Sequence, residues 1–232
     1  IVLKDMGGAG QQRLSAAHIA IVGAGGLGAP VIAYLAGAGI GKLTIIDPDT
    51  VSLSNLSRQV IYADADLDTP KAEAAARFAA RLNPEIDVSA RVEHLTPENA
   101  KTLLASADLV VEGTDSFAAK RAVAAACADL KIPLVTGALG SFDGSVTVLA
   151  PYMTREDGTY WPDFDKLYPV DPTPEDSPPC ELVGVLNVLP GIVGTMMANE
   201  AIKYLAGFGE PLLGKLLLYS ARTGESRIMG YR

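Results

Sequence analysis

The chain has 232 residues, of which 49% are hydrophobic, 20% charged and 6% aromatic, a composition that folds rather than staying disordered. Its 19 Lys and Arg against 27 Asp and Glu leave a net charge of −8, the wrong sign for a nucleic-acid partner. Two cysteines, Cys127 and Cys180, are too few for a disulfide framework or a four-cysteine zinc site, so a reducing, cytoplasmic compartment is expected. The first residue is Ile1 rather than Met, which points to processing or a missing start, and no signal-peptide pattern follows it. Residues 19–41 and 182–199 lack charge for long enough to raise a membrane span. Clustered glycines in the first, and Asn187 and Pro190 in the second, argue against one.

Short β-branched runs alternate with alanine-rich stretches. His18–Val22 reads as a buried strand, Ala29–Ala38 as a helix and Lys42–Asp47 as the next strand. Pro70 opens a helix over Lys71–Leu82 that Asn83-Pro84 stops. Ile86, Val88, Ala90 and Val92 alternate as in a strand. A helix is expected over Pro97–Ala105, a strand over Leu109–Glu112, a helix over Phe117–Leu130 and a strand over Leu134–Thr136. This rhythm predicts an α/β fold: a Rossmann-like, doubly wound, mostly parallel sheet covered on both faces. After Gly140 it changes to a strand over Ser145–Leu149, an irregular loop over 151–180, a helix over Gly191–Leu205, and strands Lys215–Ser220 and Ser226–Met229. The expectation is one domain over 1–232. Residues 15–140 form its nucleotide-binding half, and 141–232 an antiparallel extension of the sheet whose 151–180 loop crosses over and is free to be mobile.

The sharpest local feature is Gly23-Ala24-Gly25-Gly26-Leu27-Gly28, between a predicted strand and a predicted helix. Glycines there let backbone approach a phosphate, and a helix N-terminus supplies free N–H donors. Asp47 follows Gly28 by about 20 residues, at the end of the next strand, where a carboxylate can hold a ribose hydroxyl. Gly23, Gly25, Gly26, Gly28 and Asp47 therefore point to an adenine nucleotide. Beyond them come Asn55, Arg58 and Gln59, then Lys71 at a helix start. A triphosphate tail would use such cations, while two solvated surface cations are the other reading of Arg58 and Lys71.

The segments GAGGLG, IIDPDTVSLSNLSRQ, TPK and Glu112-Gly113-Thr114-Asp115 together resemble the MoeB/ThiF/HesA family, relatives of ubiquitin-activating enzymes. GQQRL at 10–14, PLVTGALGSFDGSVTVL and the stretch from Gly184 to Arg227 fit the same pattern. The resemblance implies an adenylyltransferase that uses ATP and Mg²⁺ to activate the C-terminal glycine of a small ubiquitin-like sulfur-carrier protein ending in Gly-Gly. It implies that Asp47 binds the ribose, and that Asn55, Arg58 and Lys71 contact the phosphates with Gln59 beside them. Arg58, Lys71 and Asp115 would be the catalytic set, Asp115 holding Mg²⁺. A carboxylate attacking the α-phosphorus brings two anions together, which cations must offset, and it is ionised at pH 7 without a general base. A homodimer, a separate sulfur donor, and no nucleic acid or membrane complete the expected partners. The carrier and its pathway, molybdopterin, thiamin or another, stay open.

The chain also departs from that family. Where many members carry Cys-x-x-Cys zinc pairs, it has Tyr160-Trp161-Pro162-Asp163, so no zinc is expected. An arginine-containing segment that family members place ahead of this start has no counterpart, and Arg13 does not align with it. Ser116 follows Asp115 where Asn is usual. Cys180 falls where some relatives place a nucleophilic cysteine, but neighbouring Asp176 and Glu181 disfavour its thiolate, and a cysteine without catalytic duty is the equal alternative. Cys127 reads as a small core residue. Two other functions compete. A NAD-dependent oxidoreductase explains the glycine loop and Asp47 but leaves Lys71 and Asp115 without a task; a non-catalytic nucleotide-binding scaffold explains the missing zinc pairs.

Overall fold

In the computed structural model, which describes residues 3–171 and 184–232, the β-branched runs become eight strands. These are β1 (His18–Val22), β2 (Lys42–Ile46), β3 (Asp87–Arg91), β4 (Leu109–Glu112), β5 (Leu134–Leu139), β6 (Asp143–Leu149), β7 (Lys215–Ser220) and β8 (Ser226–Gly230). They form one sheet in the order β3-β2-β1-β4-β5-β6-β7-β8. The first five pair in parallel and the last three are added antiparallel, as expected. The helices are α1 (Gly7–Ala16), α2 (Gly28–Gly37), α3 (Lys71–Leu82), α4 (Ala100–Leu104), α5 (Phe117–Leu130), α6 (Phe164–Leu167) and α7 (Leu189–Ala206).

Side chains alternate across the parallel strands, and both sets are buried. Ile19, Ile21, Leu43, Ile45, Leu109 and Val111 join one core with residues of α1, α2, α3 and α7. Ala20, Val22, Ile46, Val110 and Leu134 join a second core with residues of α4, α5 and α6. Burial on both faces is why these strands read as continuous apolar runs. Each fully buried Ile, Leu or Val contributes about 1.5–3 kcal/mol relative to exposure. β1 lies between β2 and β4, so the chain leaves it in one direction and later returns on its other side. The carboxyl ends of β1 and β4 part at that reversal and open a crevice.

Several boundaries differ from expectation for local reasons. The sequence reading contained no α1: two glycines open it and only Gly10 and Leu14 are buried, so little periodicity advertises it. It is held from outside, with the Arg13 guanidinium donating to the Ala206 carbonyl at the end of α7, which gives Arg13 a structural task. The helix expected over Pro97–Ala105 shortens to Ala100–Leu104, because Asn99 Oδ1 accepts the Thr96 N–H and turns the chain first. α7 starts at Leu189 with Pro190 in its first turn, where the missing N–H has no intrahelical partner to lose, and it ends at Gly207 with φ 70°.

Part of the expected irregular loop is ordered by packing. A Thr154–Tyr160 bridge precedes α6, and Phe117, Phe164 and Tyr168 form a tilted and edge-on aromatic cluster. Arg121 of α5 reaches over two of these rings and pairs with Asp165 and Asp171. The remainder of that loop, with Cys180, lies outside the described residues. Cys127 is buried in the second core, and burial pushes its thiol up to about 12, away from reactivity. Among the described residues, no helix is long and apolar enough to cross a membrane.

Candidate functional site

The crevice is a cleft of ≈ 480 Å³, within the range of about 300–1,000 Å³ usual for small-molecule sites. Its floor is the glycine loop between β1 and α2. Gly23 adopts φ 91° there, a conformation open to glycine, and its N–H donates to the Ile46 carbonyl at 2.9 Å. A Cβ on Gly28 would overlap the Gly23 carbonyl, so the loop closes this tightly only with glycine at both places. The result turns the Gly25–Leu27 backbone, at the N-terminus of α2, towards the cleft; within the first turn itself Ala29 and Val31 already donate to the Gly25 and Leu27 carbonyls, and Pro30 has no N–H.

Asp47, just past β2, is 5% exposed and fixes this loop. Its Oδ2 accepts the Ala24 N–H at 2.7 Å and its Oδ1 the Asp49 N–H at 2.9 Å. Burial raises its pKa above the ordinary aspartate value, and the two backbone donors oppose that rise. Each oxygen retains capacity for a further donor from the cleft. Tyr62 braces the loop from beneath, its Oη donating to the Ala24 carbonyl at 2.7 Å and lying 3.3 Å from the Lys71 carbonyl.

Lys71, at the start of α3, is 6% exposed, which removes the solvated-cation reading. Its Nζ pairs with Asp49 Oδ2 at 2.9 Å, and its backbone N–H donates to the Asp49 carbonyl at 2.8 Å. Asp49, unnoticed in the sequence, thus sets where the lysine stands. Asn55 and Gln59 are both buried at the cleft wall, and the Gln59 Oε1 has no partner among the described residues. An orphaned, buried amide oxygen on a cleft wall calls for a ligand or water donor, or for the rotated amide with its NH₂ towards an acceptor. Arg58 is half-buried beside it, one guanidinium N–H donating to the Ser54 carbonyl at 3.1 Å.

Across the crevice, the turn after β4 carries Asp115, exposed on the cleft surface. Gly23, Gly25, Gly26, Asp47, Asn55, Arg58, Gln59, Lys71 and Asp115 all line this one cleft, with Gly28 packed directly behind its loop. Cys180 is the exception, lying outside the described residues. Sequence reading gave no role to Asp49, Tyr62, Glu112, Thr114 and Lys120, although Glu112 and Thr114 stand in the strand-end motif that carries the resemblance. Asp47, Asp49, Glu93 and Asp115 line the cleft together with Arg58, Lys71 and Lys120. Carboxylates therefore outnumber cations, and a polyphosphate would need positive charge beyond what the protein supplies. An exposed carboxylate next to phosphate oxygens suits Mg²⁺, which keeps waters and takes few protein ligands.

Comparison with known proteins agrees with this geometry. The model of the ThiF family matches residues 1–231. The chain is 43% identical to the sulfur carrier protein adenylyltransferase of Thermus thermophilus over 233 residues, covering 100% of this chain and 85% of that one. It is 42% identical to the SAMP-activating enzyme E1 of Haloferax volcanii over 232 residues, covering 100% and 83%. It is 38% identical to the sulfur carrier protein ThiS adenylyltransferase of Escherichia coli, covering 100% and 89%. Among solved structures, Escherichia coli MccB with ATP superposes with a TM-score of 0.82 at 22% identity, over 96% of this chain and 66% of that one. That likeness concerns the fold.

Proposed function

The chain belongs to the ThiF family, and from that premise we propose that it is an ATP-dependent adenylyltransferase acting on the C-terminal carboxylate of a small ubiquitin-like sulfur-carrier protein. The observation that carries this is the convergence of the buried Lys71 and Gln59 and the half-buried Arg58 beside the glycine loop, in one cleft with Asp115. A nicotinamide dinucleotide would leave that phosphate-side set without work. In the reaction, a carrier carboxylate oxygen attacks the α-phosphorus of ATP. The bond to the β-phosphate bridging oxygen breaks, leaving an acyl-adenylate and pyrophosphate.

Each residue has a task in that reading. Asp47 accepts from the ribose while holding the loop, and the glycine loop ahead of α2 receives phosphate oxygens. Arg58 and Lys71 offset the charge of the departing pyrophosphate, Lys71 kept in place by Asp49. Asn55 and Gln59 add neutral hydrogen bonds on the same side. Asp115 would hold Mg²⁺, which when bound neutralises phosphate charge that the carboxylate-rich cleft cannot. A homodimer is part of the proposal: exposed Leu53, Val60 and Val188 lie on two segments joined by the Asn187–Ser57 hydrogen bond, and their burial against a second copy would remove them from water.

ATP–pyrophosphate exchange with Gly-Gly carriers added one at a time tests the reading. Carrier-dependent exchange is expected, and Lys71→Ala should lower it by about 10²–10³-fold, the loss typical of one charge-stabilising donor. The melting temperature should change little, because the Asp49 left behind is exposed. ATP binding with no exchange for any carrier would sink the enzyme reading in favour of a nucleotide-binding scaffold.

A further inference from the structure

Beneath the Asp115 turn lies an ion pair to which the adenylation chemistry gives no role. Glu112, the last residue of β4, is 0% exposed, and Lys120 on α5 is 7% exposed. Glu112 Oε1 accepts from Lys120 Nζ at 3.1 Å and from the Thr114 N–H and hydroxyl at 2.7 Å each. Its Oε2 accepts from Lys120 Nζ at 2.9 Å and from the Thr136 hydroxyl at 2.7 Å. Lys120 also donates to the Gly137 carbonyl at 2.6 Å.

This arrangement is saturated. A carboxylate offers about four lone-pair sites, so Glu112 has no capacity left to ligate a cation. Lys120 reaches the cleft wall, but its three N–H donors are matched by three acceptors, and none is free for a phosphate. Packing alone does not explain the pair, since apolar residues of similar volume commonly hold a core as well or better. An apolar pair cannot, however, accept the N–H and O–H of Thr114. Thr114 immediately precedes Asp115, and Ser116 on its other side caps α5 by accepting the Ala119 N–H. The backbone carrying Asp115 is thus fixed on one side by Glu112 and on the other by the helix start.

We infer that Glu112 and Lys120 are positioning residues, a buried brace that holds the 113–116 turn so that Asp115 meets the divalent cation of the bound nucleotide. The inference rests on the reading of Asp115 given above. Groups that orient a metal ligand from behind typically matter by about 10–100-fold in metal affinity.

The test uses three variants of the full chain. Glu112→Leu/Lys120→Met removes both charges together, because a single change would leave one buried charge unpaired and endanger folding. Thr114→Val removes only the hydroxyl contact, and Asp115→Ala removes the proposed ligand. Deuterium exchange of the nucleotide-free protein reads the turn directly. The Thr114 amide should exchange at least about tenfold faster in the folded double variant, with β4 and β5 amides unchanged. Calorimetry of ATP binding with and without Mn²⁺ reads the consequence. The tightening that Mn²⁺ brings should fall by about tenfold in the double variant and by less in Thr114→Val. A folded double variant with wild-type Thr114 exchange and the full Mn²⁺ gain, while Asp115→Ala loses that gain, would overturn the brace alone. An Asp115→Ala protein that keeps the gain would overturn the reading of Asp115 and this inference with it.

Discussion

The parallel middle of the one sheet and its antiparallel edge are built to different standards. In β1, β2 and β4 nearly every residue is buried, whereas all of β8 is exposed and β7 is at best half-covered. Ile228 and Met229 are 61% and 55% exposed, although their neighbours Leu217 and Leu216 on β7 pair with them in register. The parallel middle has helices on both faces, and its backbone segments touch at glycines. The antiparallel edge depends on strand pairing and on the packing of Leu217 and Tyr219 of β7 against the first core. Rigidity is therefore concentrated where the carboxyl ends of β1 and β4 shape the cleft. Preorganised charge is useful only on a frame that does not relax around it.

If this contrast is right, substitutions of the same chemical size should differ sharply in cost. Leu43→Ala, at 0% exposure in β2, should destabilise by about 2–5 kcal/mol through lost burial and a residual cavity, measured by urea unfolding. Gly28→Ala is a smaller chemical change, yet its methyl group would meet the Gly23 carbonyl. Overpacking of that kind should cost about 1–3 kcal/mol and weaken ATP binding together with stability. Ile228→Ala in β8 should fall within about 0.5 kcal/mol of the parent, as surface changes do. A cost for Ile228→Ala close to that of Leu43→Ala would erase the distinction between the two regions.

The same contrast explains what the sequence disclosed. Buried parallel strands leave runs such as His18–Val22 and Leu109–Glu112, which helices cannot easily mimic between glycine turns, and these were legible almost to the residue. α1 was not, because Arg13 reaching the end of α7 is a contact between residues almost a whole chain apart. In the site, the glycine loop and Asp47 were legible from residue type and spacing, whereas the phosphate-side roles of Asn55, Arg58 and Lys71, and that of Asp115, came with the family resemblance. Their supports were not: Asp49 beside Lys71 looks like any loop aspartate until the 2.9 Å ion pair is seen. Likewise, Glu112 and Lys120 are eight positions apart on different elements, and nothing local marks them as partners. Function selects the side chains that touch the ligand, while the fold selects those that hold them, and only the first set leaves a compact motif.

The smallest effect expected concerns pH, and it too separates the two regions. Burial raises the pKa of Asp47 in the parallel middle, whereas the Lys215 ammonium lowers that of the exposed Glu210 beside β7. Between the ordinary aspartate value of about 3.9 and its raised value, folded Asp47 holds a proton that the unfolded chain has released. Its contribution to stability therefore falls as pH rises across that window. For Glu210 the order reverses: the contribution is present above the ordinary glutamate value and is lost as pH drops through the lowered one. Carboxyl ¹³C titration should place the two midpoints on opposite sides of their unfolded values. A midpoint for Asp47 at or below the ordinary aspartate value would mean that the Ala24 and Asp49 N–H groups outweigh burial. Its clamp on the glycine loop would then be stronger than the buried setting suggests.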